Sequence, residues 1–114
     1  MFSKILIIGS TGTLGSKLLD YCSKNSIKIH GITCFKNTNK LLKQKIKFKI
    51  KSSFSLSLDN DKINFVKYIK NNKFKIIYFL DYGSYSLKYL SILLNKNTNS
   101  YFAIANKEML IAGG

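Results

Sequence analysis

Residues 5–15 read ILIIGSTGTLG, and this stretch decides the fold. Its four leading apolar residues predict a strand buried on both faces, and helical spacing of apolar residues over residues 13–23 predicts a helix after the glycines. Gly9 permits a tight exit from the strand, Gly12 leaves room for a pyrophosphate, and Gly15 lets the helix pack closely on the sheet. Amide groups and the dipole at the helix start favour a phosphate. This context predicts a nucleotide-binding turn, with a plain strand-to-helix turn as the alternative.

The rest of the chain continues the alternation of strand and helix. Further strands are predicted over residues 28–33, 45–51, 74–80 and 101–105, and further helices over residues 39–44, 62–72 and 86–94. Such alternation predicts an α/β fold, namely a Rossmann-like, doubly wound and mostly parallel sheet. A length of 114 residues suits one domain, residues 1–114, truncated to a dinucleotide-binding unit.

Three finer predictions concern the middle of the chain and the last helix. Residues 45–51 alternate apolar residues with lysines, the period-two signature of a half-buried strand with a solvated face. Residues 52–61 are polar and rich in serine, which predicts a loop or weak strand. In the last helix, apolar spacing predicts an inward face. The apolar residues on which these predictions depend are Ile46, Phe48 and Ile50 in the strand, and Leu87, Leu90 and Leu94 in the helix.

The end of the second strand indicates which dinucleotide is bound. Residues 33–37 read TCFKN. A site that prefers NAD has an acidic residue here to hold the ribose 2′-hydroxyl, whereas the 2′-phosphate of NADP needs positive charge. No carboxylate is present, and Lys36 offers that charge. The sequence therefore favours NADPH.

The formal charge of +14 raises the alternative of a nucleic-acid-binding module, because a basic surface attracts phosphate backbones. All nineteen basic residues are lysines, however, and arginine is the better residue for bidentate recognition of bases and phosphates. Lysine, asparagine and isoleucine also follow AT-rich codons. Nucleic acid is therefore the less favoured partner.

Composition also bears on location. The longest apolar run, residues 76–80, is far shorter than the roughly 20 residues of a membrane span, so no membrane partner is expected. Cys22 and Cys34 form no CxxC pair, and with one histidine they build neither a zinc site nor a disulfide framework. We expect ordinary thiols in a reducing, cytoplasmic setting.

Three stretches, in this order, resemble the NADPH-binding domain of 1-deoxy-D-xylulose 5-phosphate reductoisomerase. They are GSTGTLG at residues 9–15, GITCFKN at residues 31–37 and ANKEMLIAGG at residues 105–114. That family converts 1-deoxy-D-xylulose 5-phosphate to 2-C-methyl-D-erythritol 4-phosphate in non-mevalonate isoprenoid biosynthesis. The resemblance implies an NADPH-dependent oxidoreductase, a homodimer when complete, and a divalent Mg²⁺ or Mn²⁺ ion that holds the substrate.

The resemblance also implies roles for particular residues. The phosphates and ribose of the cofactor would contact Thr11, Gly12, Thr13 and Leu14. The adenosine 2′-phosphate end would lie at Lys36 and Asn37. The nicotinamide side would be held by Asn106 and Glu108, and the sugar-phosphate substrate would be reached by Lys107.

The chain departs from the family pattern in several places. Phe35 stands where the family has glycine, and residues 82–87, YGSYSL, replace a loop of small residues, so Tyr85 and Phe35 are expected to crowd the cofactor. The family's catalytic half would begin after residue 114. The few acidic residues do not converge on a metal site by any spacing. We therefore expect metal ligands outside this chain, no catalytic residue within it and no turnover by the chain alone, with a separate catalytic subunit as one possible partner.

Two more hypotheses stay open on the sequence. Homoserine dehydrogenases also carry Ala-Asn-Lys after a late strand, so another Rossmann oxidoreductase fragment is the second enzyme hypothesis. Residues 31–37 and 108–114 argue against it. The last hypothesis is a pseudogene product that never folds stably.

Overall fold

The structure, a computed structural model, describes residues 4–81 and 83–104. Strands and helices alternate along this part of the chain, and a short 3₁₀ turn at Ser84–Ser86 precedes the last helix. The strands are β1 Ile5–Ile8, β2 Gly31–Cys34, β3 Ser52–Ser55, β4 Ile76–Phe79 and β5 Tyr101–Ile104. The helices are α1 Thr13–Lys24, α2 Thr38–Lys47, α3 Asp59–Asn71 and α4 Leu87–Lys96.

The five strands form one sheet in the order β3-β2-β1-β4-β5, and every pair is parallel. The chain runs outward from β1 to β3 and then returns to the other side of β1 with β4. Where the strand order reverses in this way, a crevice opens beyond the carboxyl ends of the central strands. The predicted α/β, Rossmann-like fold is confirmed, and the sheet in the described residues is wholly parallel.

Two apolar cores lie on opposite faces of the sheet. The residues of β1 alternate between them, with Ile5 and Ile7 in one core and Leu6 and Ile8 in the other, so β1 is buried on both faces. The first core also receives α1 and α2, and the second receives α3 and α4. The helix residues most deeply inserted are Leu19, Cys22 and Leu41 in the first core, and Phe65, Ile69, Tyr89 and Leu93 in the second.

The predicted strand over residues 45–51 is wrong. Helix α2 continues to Lys47, Ile46 is 79% exposed, and the backbone turns at Lys49 with a φ of 54°. The lysines of this stretch are good helix formers, so local propensity competes with the period-two pattern. The third strand is instead β3, in the stretch predicted as a loop or weak strand, and it pairs with β2 through its backbone.

Two helices also differ from prediction. Asp59 and Asp61, expected in a loop, lie in the first turn of α3, where negative charge suits the helix dipole. In α4 the inward residues are Tyr89 and Leu93, whereas Leu87 and Leu94, predicted to face the core, are about half exposed. The physical reason is the large ring of Tyr89, which packs edge-on against Phe65 at a centroid distance of 5.0 Å.

None of the helices in residues 4–81 and 83–104 has the length and apolarity that crossing a membrane requires. Cys22 and Cys34 are both buried and free, and burial raises the pKa of each thiol.

Candidate dinucleotide site

The glycine turn, residues 9–15, leaves β1 and begins α1. Gly9 has a φ of +94°, a left-handed conformation that favours glycine, and the amides of Gly9 and Ser10 donate to the Thr33 carbonyl at 3.1 and 2.9 Å. A Cβ on Gly15 would lie 2.3 Å from the Gly9 carbonyl oxygen. The turn therefore folds tightly onto itself and onto the end of β2, as the glycine pattern predicts.

Gly12 has a different environment in the same turn. A Cβ built there would meet no atom within 4 Å, so this position faces open space. Gly12 is the N-cap of α1, and no described side chain caps the helix there. Amide groups in the first turn of a helix have no partners within it, and together with the helix dipole they favour an anion. The open position of Gly12 and the uncapped helix start fit a phosphate.

A buried polar network, which the sequence patterns did not predict, fixes the glycine turn from α2. The Ser10 hydroxyl donates to Gln44 Oε1 at 2.7 Å, and Gln44 Nε2 donates to the Ser10 carbonyl at 2.9 Å. Ser10 is fully buried and Gln44 nearly so. The sequence did carry one signal for this network: Gln44 follows the buried Leu41 by three residues, which places both on the inward face of α2. Nearby, Lys40 Nζ donates to the Thr11 carbonyl at 2.7 Å.

The turn opens onto a cleft of about 680 Å³ at the carboxyl ends of β1, β2 and β4. The cleft brings together most of the residues that the sequence singled out, with contributions from three separate strand ends. Its lining residues are Gly9, Thr11, Gly12, Thr13, Leu14, Gly15, Lys17, Phe35, Lys36, Leu80 and Asp81.

Side chains that follow β2 and β4 line another part of the cleft. We call Phe35, Lys36 and Asp81, together with Tyr85, which packs on Phe35 without lining the cleft, the aromatic wall. The rings of Phe35 and Tyr85 lie 4.4 Å apart between centroids, and Lys36 Nζ lies 5.7 Å from the Phe35 centroid. The two Asp81 carboxylate oxygens accept hydrogen bonds from the Gly83 amide, at 2.7 Å, and from the Tyr85 hydroxyl. Burial and the Asp81 carboxylate raise the pKa of Tyr85, so its hydroxyl remains a donor at neutral pH.

The predicted site residues divide into three groups. Cleft-lining positions are occupied by Thr11, Gly12, Thr13, Leu14 and Lys36. Asn37 does not line the cleft, and its side chain caps α2 by accepting from the Lys40 amide at 3.4 Å. The remaining three, Asn106, Lys107 and Glu108, lie outside the described residues.

No three His, Cys, Asp or Glu side chains in residues 4–81 and 83–104 come together in a way that could hold a metal ion. The acidic residue that lines the cleft is Asp81, and its oxygens accept hydrogen bonds from Gly83 and Tyr85. The described residues therefore do not fit a divalent metal centre.

The parallel sheet, the glycine turn and the cleft at the reversal of strand order define an α/β domain of the Rossmann-like class. The family model described as 1-deoxy-D-xylulose 5-phosphate reductoisomerase matches residues 5–90. The chain belongs to the 1-deoxy-D-xylulose 5-phosphate reductoisomerase family. This match favours the reductoisomerase over the homoserine dehydrogenase alternative.

A curated relative agrees with this assignment. The chain is 26% identical over 125 aligned positions to the 1-deoxy-D-xylulose 5-phosphate reductoisomerase of Campylobacter curvus (strain 525.92). The alignment covers 96% of this chain and 33% of the relative. The chain thus spans about a third of the length of that relative.

Proposed function

We propose that this chain binds NADPH as the cofactor-binding portion of a 1-deoxy-D-xylulose 5-phosphate reductoisomerase. The observation that carries the proposal is the cleft itself, which is lined both by an uncapped helix start with an open glycine and by Lys36 after the neighbouring strand β2. Each group suits one part of NADPH. The helix start suits the pyrophosphate, and the ammonium suits the 2′-phosphate.

The contacts that we propose follow from this placement. The pyrophosphate lies against Gly12 and accepts from the exposed first turn of α1 at Thr13 and Leu14. Thr11 contacts the phosphates or ribose beside them, and its carbonyl is already held by Lys40. Lys36 neutralises the 2′-phosphate. Asn37 shapes this end of the site through its cap on α2.

The wider reaction is also a proposal. It is the conversion of 1-deoxy-D-xylulose 5-phosphate to 2-C-methyl-D-erythritol 4-phosphate in non-mevalonate isoprenoid biosynthesis, with hydride supplied by NADPH. We assign the nicotinamide side to Asn106 and Glu108 and a substrate contact to Lys107, all outside the described residues. The Mg²⁺ or Mn²⁺ ligands, the subunit partner and a cytoplasmic location likewise stay predictions.

The proposal is tested by titrating the chain with NADPH and NADH and following the fluorescence of the reduced nicotinamide. We expect wild type to bind NADPH more tightly than NADH. Lys36→Glu should weaken NADPH binding about tenfold, because repulsion replaces attraction at an exposed and therefore screened site, and should change NADH binding little.

The matched control is Lys24→Glu, which makes the same change of net charge. Lys24 is exposed in the last turn of α1, about 16 Å along the helix from its start. The Lys24→Glu variant should bind both NADPH and NADH with the affinity of wild type. Absence of NADPH binding by the folded wild-type chain would contradict the proposal, and equal loss in both variants would reject the role of Lys36.

A further inference from the structure

Phe35 is the first residue after β2 and lines the cleft beside Lys36. It replaces the glycine that the family resemblance leads one to expect. Its side chain is 36% exposed, although a phenylalanine ring gains free energy when it leaves water. A partly exposed aromatic ring therefore lies at the adenosine end of the proposed cofactor site.

The covered part of this ring lies against Tyr85. The two rings are tilted by 34° with centroids 4.4 Å apart, which is stacking distance. Tyr85 is itself held in place, because its hydroxyl donates to Asp81 and its ring packs on Gly83, where an added Cβ would lie 2.5 Å from Tyr85 Cε1. Tyr85 is not among the described residues that line the cleft. Tyr85 thus supports Phe35 without lining the cleft, and Phe35 remains a lining residue.

The neighbour of Phe35 indicates what would cover the exposed part of the ring. Lys36 Nζ lies over this ring, 5.7 Å from its centroid. The base and the 2′-phosphate of an adenosine 2′-phosphate are carried on one ribose, so a ligand that brings its phosphate to Lys36 brings its base close to Phe35. Nucleobases stack on aromatic side chains because both present flat π-faces.

We propose that Phe35, buttressed by Tyr85, is the platform on which the adenine of NADPH stacks. The inference rests on the proposed function and deepens it by assigning the adenine subsite. It also replaces the expectation that two bulky side chains crowd the cofactor, because Tyr85 packs on Phe35 outside the cleft lining and the cleft beside the glycine turn has a volume of about 680 Å³.

The experiment compares affinities for three probes: NADPH, 2′,5′-ADP and inorganic pyrophosphate, which has phosphates and no base. Phe35→Leu keeps an apolar side chain and removes the π-face, so we expect it to weaken NADPH and 2′,5′-ADP about tenfold. Pyrophosphate affinity should not change. Phe35→Tyr restores the ring and should bind all three probes within about twofold of wild type.

Nuclear Overhauser effects between adenine protons and the Phe35 ring in wild type add a test that needs no variant, in case Phe35→Leu does not fold. We expect them to be present with 2′,5′-ADP bound. If wild type binds NADPH but folded Phe35→Leu binds it equally or more tightly, or if these effects are absent, the platform is rejected and the proposed function stands. If wild type binds neither NADPH nor 2′,5′-ADP, the proposed function fails with it.

Discussion

The glycine turn lines one part of the cleft with backbone, whereas the aromatic wall contributes side chains to another part. In the turn, the proposed binding uses the absence of side chains, since Gly12 leaves space and Gly15 permits contact between α1 and the strand end. In the aromatic wall, the proposed binding uses side chains, namely two rings, an ammonium and a carboxylate that accepts two hydrogen bonds. Backbone geometry suits a ligand part common to all dinucleotides, and side chains suit the part that differs between them.

The comparison has a physical basis. A pyrophosphate offers the same oxygens whichever dinucleotide carries it, so amide groups at a helix start suffice to bind it. The adenosine end differs by a 2′-phosphate, and discrimination there needs charge. Binding strength and specificity should therefore respond to substitutions in different walls, and three predictions test this division.

The largest effect is expected at Gly15, one of the three glycines of the turn, and Gly12 provides the comparison. Gly15→Ala places a Cβ 2.3 Å from the Gly9 carbonyl oxygen, so we expect about 3 kcal/mol lower free energy of unfolding, measured by urea denaturation. Gly12→Ala is the matched variant, since its Cβ meets nothing and its φ is −72°. It should leave stability almost unchanged and weaken NADPH binding roughly tenfold, or ~1.4 kcal/mol. If Gly15→Ala and Gly12→Ala lowered the free energy of unfolding equally, the proposed difference between a packing role for Gly15 and a binding role for Gly12 would be rejected.

The second prediction concerns the support of the glycine turn. Gln44→Leu removes both hydrogen bonds to Ser10 and leaves the buried Ser10 hydroxyl and carbonyl without these partners, so we expect a loss of about 2 kcal/mol. NADPH binding should weaken because the turn loses its anchor on α2. Lys43→Leu, an exposed change on the same helix, is the control. Unaltered stability in Gln44→Leu would show that the network does not hold the turn.

The smallest effect is expected at the back of the aromatic wall. Tyr85→Phe keeps the ring but removes the hydrogen bond to Asp81, which should cost about 1 kcal/mol at neutral pH. The pKa of Tyr85 is raised in the folded protein, so its contribution to stability is present below the ordinary tyrosine pKa of 10.0 and is lost as pH rises above it. Tyr85→Phe should show a shallower alkaline decline in urea denaturation. Tyr101→Phe, at an exposed ring, should decline as wild type does.

Much of the fold was predictable because strong local patterns coincide with the sheet. Residues 5–15 combine a buried strand, special glycines and a helix start, and the structure agrees with each. The elements in the middle of the chain were not predictable from local pattern. Strand β3 is rich in serine and is held by backbone pairing with β2, and the alternating stretch before β3 contains the end of helix α2. In α4, packing of Tyr89 on Phe65 decided which residues face inward.

The sequence by itself determined the glycine turn and the lysine at the end of β2, since both follow from residues close together in the chain. Only the tertiary structure decided that Gln44 anchors the turn and that Tyr85 supports Phe35, because these partners are 34 and 50 positions apart and meet only when the sheet forms. A local sequence pattern indicates the backbone conformation of a segment and which of its residues are buried. It does not indicate which side chain, distant in the sequence, completes a hydrogen bond or packs against a ring.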